Sequence, residues 1–418
     1  MARLIQIFEH ERLTLLPNER GEFLLPNELA KLYEFNDRND NEYFTGIRDG
    51  VKFSNYVGVI QIGGLTIEIL PKADKKRSLN NTEYKAESEK WRNALLSMLA
   101  VCRKIKVDSV SEASLNKRYH SLLELYFEIY VDEVTALLRK GLIKKYHNQS
   151  SNTSALKGRI DFAKNIQQNL IHQERFYTTH QIYDYEHVIN QILLKGLNIL
   201  SKLVTNASLK DRIARIKLDF PEIKEIQITK NHFDQLKESR KTVAYNEAVK
   251  IAKMIILNYS PDIKNGQENM LALLFDMNKL WEEYVFRMLQ RDKPVGVSVE
   301  FQNSQKFWET KTIRPDIVVT RKNGSESETF VIDTKWKVID YRNPSDDDLK
   351  QMYAYNIYWN AGKSMLLYPK IQEFPEKFGT FHKGKDNGNA CKLGFINVLD
   401  DKGKLDFGIG KIILEKLN

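Results

Sequence analysis

Three residues toward the C-terminal end of this 418-residue chain carry its most telling chemistry: Asp316 in Ile313-Arg314-Pro315-Asp316, and Asp333 with Lys335 in Val331-Ile332-Asp333-Thr334-Lys335-Trp336. Carboxylates about 4.5–5.5 Å apart, as a directly opposed cross-strand pair would be, repel unless a cation sits between them. A hard divalent ion such as Mg²⁺ is commonly held by one or two carboxylates plus waters and a substrate phosphate. A lysine beside such an ion can orient or help deprotonate an attacking water and balance charge in the transition state, while the ion polarises the phosphate. That combination is the chemistry of phosphodiester hydrolysis.

These side chains need a sheet to bring them together. Both motifs lie in β-branched runs joined by a turn-rich stretch, and Asn323-Gly324 between two such runs signals a hairpin. If the turn is centred between Gly324 and Ser325, Asp316 lies across from Asp333; if it is Asn323-Gly324, the pairing slips by two and the acids keep the same side. Alternation then points Asp333 and Lys335 the same way and turns Thr334 to the other face. The bland alternative is a solvated strand face with a cross-strand ion pair. Against it, Ile317, Val318, Val319, Phe330, Val331 and Ile332 form near-continuous apolar runs, as in strands buried on both faces, where unpaired charge is expensive.

Along the rest of the chain the pattern predicts an α+β multidomain protein in three parts. Residues 1–115 read as a β-rich domain, sheet-like or barrel-like, with a turn at Ile62-Gly63-Gly64-Leu65, a polar exposed loop over 74–89 and a following helix over 91–101. Residues 116–262 read as mainly helical. One helix runs over 121–138 with an apolar stripe of Leu122, Leu123, Tyr126, Phe127, Tyr130 and Val134 and a stop at Gly141, and others run over 183–203 and 237–257. Within this part Arg139, Lys140, Lys144, Lys145, Lys157 and Arg159 gather around Tyr146 as a basic loop system able to meet phosphate or an acidic partner. Residues 263–418 read as α-β-β-α around a mixed sheet. Its helices cover 276–285, with Asp276 as N-cap, and 349–359; closing strands cover 364–368 and 395–398. Tyr353, Tyr355, Tyr358 and Trp359 read first as core and only second as a base-stacking platform.

Composition sets outer bounds. Lys and Arg outnumber Asp and Glu by 64 to 55, a net charge of +9 that favours polyanions without choosing among DNA, RNA and an acidic protein. Cys102 and Cys391 stand far apart with no Cys-x-x-Cys or histidine cluster nearby, which argues against a disulfide framework or a zinc site and suits the cytoplasm. The apolar runs fall short of the roughly 18–20 residues of a membrane span. No Gly-x-x-x-x-Gly-Lys-[Ser/Thr] loop is present, so any nucleotide hydrolysis coupled to this chain must belong to another polypeptide.

The nuclease-like residues resemble the PD-(D/E)xK superfamily, through Pro315-Asp316 followed by Asp333-Thr334-Lys335. That resemblance implies Asp316, Asp333 and the Thr334 carbonyl as ligands of Mg²⁺ or Mn²⁺, and Lys335 as the catalytic lysine. An acid on a preceding helix normally completes such sites; Glu282 is the first choice and Glu283 the fallback. Gln351 and Tyr355, at i and i+4 of a helix, match a Gln-x-x-x-Tyr pair that many of these nucleases carry near DNA or metal.

More specifically, Phe275-Asp276-Met277-Asn278 with Leu280-Trp281-Glu282, Arg314-Pro315-Asp316-Ile317 and Asp333-Thr334-Lys335-Trp336-Lys337 resemble the McrC family, the nuclease subunit of McrBC-type modification-dependent restriction systems. Tyr56-Val57-Gly58-Val59-Ile60-Gln61, Leu65-Thr66-Ile67-Glu68-Ile69-Leu70-Pro71-Lys72, Arg139-Lys140-Gly141-Leu142 and Leu156-Lys157-Gly158-Arg159-Ile160-Asp161 agree, whereas Tyr185-Glu186-His187-Val188-Ile189-Asn190-Gln191 departs from the family pattern. The resemblance implies a type IV restriction endonuclease subunit serving phage defence. It would cut double-stranded, modified DNA when assembled with an AAA+ GTPase of McrB type whose hydrolysis it stimulates. It also implies that the part before the nuclease domain engages the motor ring, with an extended piece entering the pore and Arg139, Lys140, Lys157 and Arg159 as contact residues; dimerisation through the nuclease domain stays open. Two rivals are a non-catalytic adaptor of the motor and a stand-alone RecB-like repair nuclease, the latter favoured by Gln351 and Tyr355.

Overall fold

The computed structural model describes residues 3–71, 80–104, 122–260, 269–323, 326–337, 339, 344–370, 374–381 and 388–417. The chain divides into two compact units, one formed by Met1–Leu122 with Ala272–Asn418, the other by Leu123–Leu271. This differs from the expected three-part division. The first and last segments share one unit because strand Tyr56–Ile62 has strand Met270–Asp276 as its neighbour in a single sheet.

In the discontinuous unit that sheet runs in the order Arg3–Phe8, Leu65–Leu70, Tyr56–Ile62, Met270–Asp276. The outer pair is parallel, with Arg3 opposite Leu65, and Tyr56–Ile62 folds back on Leu65–Leu70 as a hairpin. Val57, Val59, Ile60, Ile62, Ile67 and Ile69 are all buried, the signature of strands covered on both faces. Gly58 has φ of +137°, and a Cβ there would collide with the carbonyl oxygen of Leu273 on the neighbouring strand. Only glycine suits that position. A three-stranded sheet of Arg12–Thr14, Gly50–Phe53 and Phe44–Ile47 completes the early part, so the β-rich segment is built of open sheets. Helix Asn81–Val101 begins well inside the stretch read as an exposed loop. The Asn80 side chain accepts from the Glu83 N–H and Glu83 reaches back to the Asn80 N–H, a capping box whose polar residues look loop-like in sequence. Residues 72–79 of that expected loop lie outside the described residues.

The larger sheet of this unit has six strands in the order Val297–Phe301, Ile317–Asn323, Glu326–Thr334, Lys363–Pro369, Ala390–Ile396, Phe378–Thr380. It is mixed, as expected: the first three strands are antiparallel to one another, Glu326–Thr334 runs parallel to Lys363–Pro369 and then to Ala390–Ile396, and the last is antiparallel. Helices Met277–Asp292 and Asp346–Tyr358 pack on it. Three tryptophans join the early and late segments. Trp336 lies 5.4 Å from Trp281 and 6.2 Å from Trp91 between ring centroids, and its indole N–H donates to Glu9 Oε1 at 2.6 Å.

The second unit is built on helices Leu122–Lys140, Val188–Leu203 and Asn246–Leu257. The expected stripe of the first is buried, and Gly141, at φ of +87°, ends it. Three readings change. The helix expected over 237–257 begins only at Asn246, after a single 3-10 turn at Val243–Tyr245. Residues 183–187 are not helical, because strand Phe176–Asp184 runs on to Asp184 and the helix starts only at Val188, capped by His187. The basic segment is not a loop system: Lys145–Thr153 is a nine-residue strand paired with Phe176–Asp184, which also pairs with Arg159–Ile160. Most of its side chains are exposed or half-buried, so it lacks the apolar alternation by which strands are recognised. Among the described residues no helix is long and apolar enough to cross a membrane.

Candidate active site

The last pair of the hairpin ladder is Ile317 opposite Ile332, and Asn323 lies opposite Glu326 at the other end. One step further places Asp316 beside Asp333, in the register that centres the turn between Gly324 and Ser325, two residues outside the described set. Asp316 is held by Thr334, whose backbone N–H and hydroxyl both donate to its Oδ2, at 2.7 and 3.0 Å. The Thr334 hydroxyl therefore reaches the acid, contrary to the simple alternation rule; the antiparallel ladder stops at Ile332, while Thr334 stays paired with Leu367 on the other side.

Asp333 is 2% exposed, and its Oδ2 lies 2.6 Å from Lys335 Nζ. Lys335 in turn donates to Gln351 Oε1 at 3.3 Å and stands 3.5 Å from Asp348 Oδ1. Its own backbone N–H donates to the Leu367 carbonyl at 2.9 Å, so the lysine leaves the sheet from a fixed point.

Helix Met277–Asp292 delivers the third acid. Asp276 caps it through the Asn278 N–H at 2.9 Å, and Trp281, Tyr284, Val285 and Leu289 bury one face, which turns Glu282 toward the sheet edge. Gln302 ties Glu282 to Asp316: its side-chain amide donates to Glu282 Oε1 at 2.7 Å and its backbone N–H to the Asp316 carbonyl at 2.8 Å. Gln302 adopts φ of +50°, a conformation that costs a non-glycine residue about 1 kcal/mol and is concentrated at functional sites. Glu283, the fallback, is engaged elsewhere, with Lys104 at 2.9 Å and Arg287 at 3.1 Å.

Gln351 and Tyr355 do join the cluster, but as a brace. Gln351 Nε2 donates to the Tyr355 hydroxyl at 2.6 Å, which donates to the Arg314 carbonyl at 2.8 Å. Tyr355 is 2% exposed and packs with Val331 and Met352, so its ring is core and cannot face a duplex. Sequence reasoning missed Asp348 and Gln302. Asp348 takes Lys337 Nζ at 2.6 Å as well as Lys335, yet in Asp346-Asp347-Asp348 it reads as an ordinary acidic helix start. Its spacing with Gln351 and Tyr355, i, i+3 and i+7 on one helix face, was the available signal. In the other unit, Arg139 and Lys140 end a helix, whereas Arg159 pairs with Thr179, which faces Ser150 five residues along the strand from Lys145.

The family described as McrBC 5-methylcytosine restriction system component matches residues 51–369, well over half of the chain and every acid of this site. The chain belongs to the McrBC family. It is 22% identical over 302 residues to the type IV methyl-directed restriction enzyme EcoKMcrBC of Escherichia coli K12, a match covering 67% of this chain and 84% of that relative. Two solved structures share the fold. A chain from the refined half-complex of the tetradecameric assembly of Thermococcus gammatolerans McrB AAA+ hexamers with bound McrC is 20% identical, with a TM-score of 0.71 over 100% of this chain and 99% of that one. A chain from the T. gammatolerans McrBC complex is 17% identical, with a TM-score of 0.51 over 69% and 88%.

The acids of this McrBC-family chain are costly to charge. Burial pushes Asp333 up from the ordinary carboxylate range, helped by the neighbouring charge of Asp316 and opposed by Lys335. Asp316 is raised by burial and then by Glu282; Glu282 is raised by burial, against a hydrogen bond from Gln302. Burial alone would lower Lys335, but Asp333 outweighs it and holds the ammonium charged. Among the described residues no three acid, imidazole or thiol side chains already converge as a ready-made ion cage. The donors are all oxygens and their charging is disfavoured, which is the electrostatic condition a hard cation relieves.

A stability test follows from the sign of these shifts. An acid raised in the folded state binds more protons there than in the unfolded chain, so stability falls as pH climbs from the ordinary carboxylate range toward neutrality, and stays reduced above it. In the absence of divalent ions, Asp333→Asn is expected to stabilise the protein at pH 8 by about 1–2 kcal/mol, the loss of the Lys335 contact offsetting part of the gain. Near pH 4 the difference should vanish. Thermal melts at the two pH values with a chelator present check this; a variant less stable than the parent at pH 8 would contradict it.

Proposed function

We propose that this chain is the Mg²⁺-dependent DNA endonuclease subunit of a McrBC-type restriction system, active when assembled with an AAA+ GTPase whose hydrolysis it stimulates. The observation that carries the reading is the linked placement of three acids and a lysine at one sheet edge: Asp316 held by Thr334, Asp333 paired with Lys335, and Glu282 tied to Asp316 through Gln302, the neighbourhood a PD-(D/E)xK site needs. Asp316, Asp333, Glu282 and the Thr334 carbonyl are the groups that would hold Mg²⁺ or Mn²⁺. Bound there, the ion would polarise the scissile phosphate and acidify the attacking water.

The chain's own residues do the rest. Lys335, held charged between Asp333 and Asp348 and steadied by Gln351, aims its ammonium where negative charge develops on the phosphate and can hydrogen-bond the incoming water. Gln302 and Thr334 fix the carboxylates, so little reorganisation is needed at the moment of reaction. The motor contact is assigned to the second unit. Its long polar strand pair is extended and accessible, and beside it helix Phe162–Asn169 leaves Phe162 71% and Ile166 63% exposed, an apolar face suited to a protein partner. Gln351 and Tyr355 brace Lys335 and the Arg314 carbonyl, a role that serves a motor-driven nuclease as well as a stand-alone one.

The deciding assay combines the purified chain, its AAA+ partner, GTP, Mg²⁺ and a cytosine-methylated plasmid. Cutting is expected only when all are present, is lost with a chelator, and is accompanied by faster GTP hydrolysis than the partner shows alone. Rapid cutting by the chain without the partner would replace this reading with that of an autonomous nuclease. Stimulated hydrolysis with no cutting would make the chain an adaptor.

A further inference from the structure

A small hairpin beside the acids has no role in holding them. Strands Gln305–Trp308 and Lys311–Ile313 form a separate two-stranded sheet, with Trp308 opposite Lys311 and an irregularity between Lys306 and Trp308 that bulges out Phe307. Its turn places Glu309 at φ of +48°, where hairpins ordinarily use glycine. Trp308 is 62% exposed and Phe307 51%. Large aromatics at an exposed tip lose hydrophobic stabilisation unless something covers them.

Both ends of the hairpin are anchored. Ile313 packs against the cluster containing Met352 and Tyr355. Phe307 lies 5.6 Å from Tyr358 between ring centroids, and the Tyr358 hydroxyl donates to the Phe307 carbonyl at 3.4 Å. Tyr358 belongs to helix Asp346–Tyr358, which also carries Asp348, Gln351 and Tyr355. One helix therefore sets both Lys335 and the hairpin. The chain then reaches Asp316 three residues after Ile313, so the Trp308–Lys311 pair lies within roughly 20 Å of Asp316 at the rise of an extended chain. Between residues 303 and 315 the charged groups are Lys306, Glu309, Lys311 and Arg314, all exposed, and neither Lys306 nor Lys311 has an acidic partner among the described residues.

We propose that this hairpin is a DNA-engaging wedge: Trp308 stacks on a base near the phosphate to be cut, while Lys306 and Lys311 take backbone phosphates on either side. The occupant is duplex DNA, argued from exposed aromatics interleaved with unpaired cations and from continuity with the acid cluster. The inference rests on the nuclease reading for its setting, but its test does not need cleavage. Trp308 is the exposed member of the five tryptophans, since Trp91, Trp281 and Trp336 are buried and Trp359 is half-buried.

Intrinsic fluorescence of the full chain, titrated with a short duplex in Ca²⁺, is expected to be quenched, and the quenching should disappear in Trp308→Ala. By anisotropy of a labelled duplex, Trp308→Ala should weaken binding about 10-fold and Trp308→Phe should recover most of it. Lys306→Ala with Lys311→Ala should reduce the salt dependence by about two phosphate contacts. Unchanged affinity and emission in Trp308→Ala would overturn the proposal. Loss in the lysine variant alone would also overturn it, leaving only a backbone contact. So would a Trp308→Ala defect confined to assembly with the motor partner. The two readings are tested apart: normal cutting by Asp333→Ala would show the acid cluster misassigned whatever the hairpin does, whereas the Trp308-dependent quenching is read without cleavage.

Discussion

Replacing Asp333 with alanine, or Lys335 with alanine, is expected to lower DNA cleavage by the assembled complex on the order of 10³-fold while GTP hydrolysis by the partner stays stimulated. Asp333 is 2% exposed and paired at 2.6 Å with Lys335, so its removal strips the site of a buried anionic oxygen and leaves the ammonium without that partner. Removing Lys335 leaves Asp316 and Asp333 without an ammonium that lowers the cost of charging both. The two variants should look alike for the chemical step, because the groups act as a unit and such losses do not add. Single-turnover cleavage and steady-state GTP hydrolysis, measured on the same preparations, check both halves. Cleavage within a few-fold of the parent in either variant would remove the site from consideration.

The second large effect is on folding. Gly58→Ala is expected to destabilise the discontinuous unit by about 3–5 kcal/mol, combining a strained φ with a methyl group pressed into the opposing strand. Net stabilities of proteins are only about 5–15 kcal/mol, so the variant should be obtained in poor soluble yield and melt far below the parent. The collision is with the Leu273 carbonyl, a backbone atom that no rotamer change can move aside. Gly21→Ala serves as a control: its φ is +76°, but nothing lies within 4 Å of an added Cβ, so only the smaller conformational cost applies. If both substitutions were equally mild, the close approach of strands Tyr56–Ile62 and Met270–Asp276 would be wrong.

What the sequence disclosed depended on whether position follows from a local period. Asp316 and Asp333 could be paired before any coordinates because the side-chain repeat of a strand is two and a hairpin has few registers; Ile317 opposite Ile332 meets that expectation. Helix Leu122–Lys140 was legible through its apolar stripe and the glycine after it. Strand Lys145–Thr153 was not, since Asn148-Gln149-Ser150-Ser151-Asn152 buries no apolar face and owes its form to the partner strand Phe176–Asp184. Pairing between residues more than 200 positions apart leaves no local trace either, and so the union of the first and last segments in one unit was hidden. Asp348 and Gln302 were overlooked for a related reason. Their importance lies in which atoms they hold, and neither an acid at a helix start nor a glutamine after a strand advertises that.

The neighbouring of Tyr56–Ile62 with Met270–Asp276 has a consequence for biosynthesis. As the polypeptide leaves the ribosome, an early strand with a vacant edge must wait for about 200 further residues, an interval in which the inserted helical unit can fold by itself. Strand Lys363–Pro369, which pairs with the Asp333 strand, and Ala390–Ile396 beyond it emerge later still. A product terminated before those strands would therefore lack the scaffold that assembles the acids.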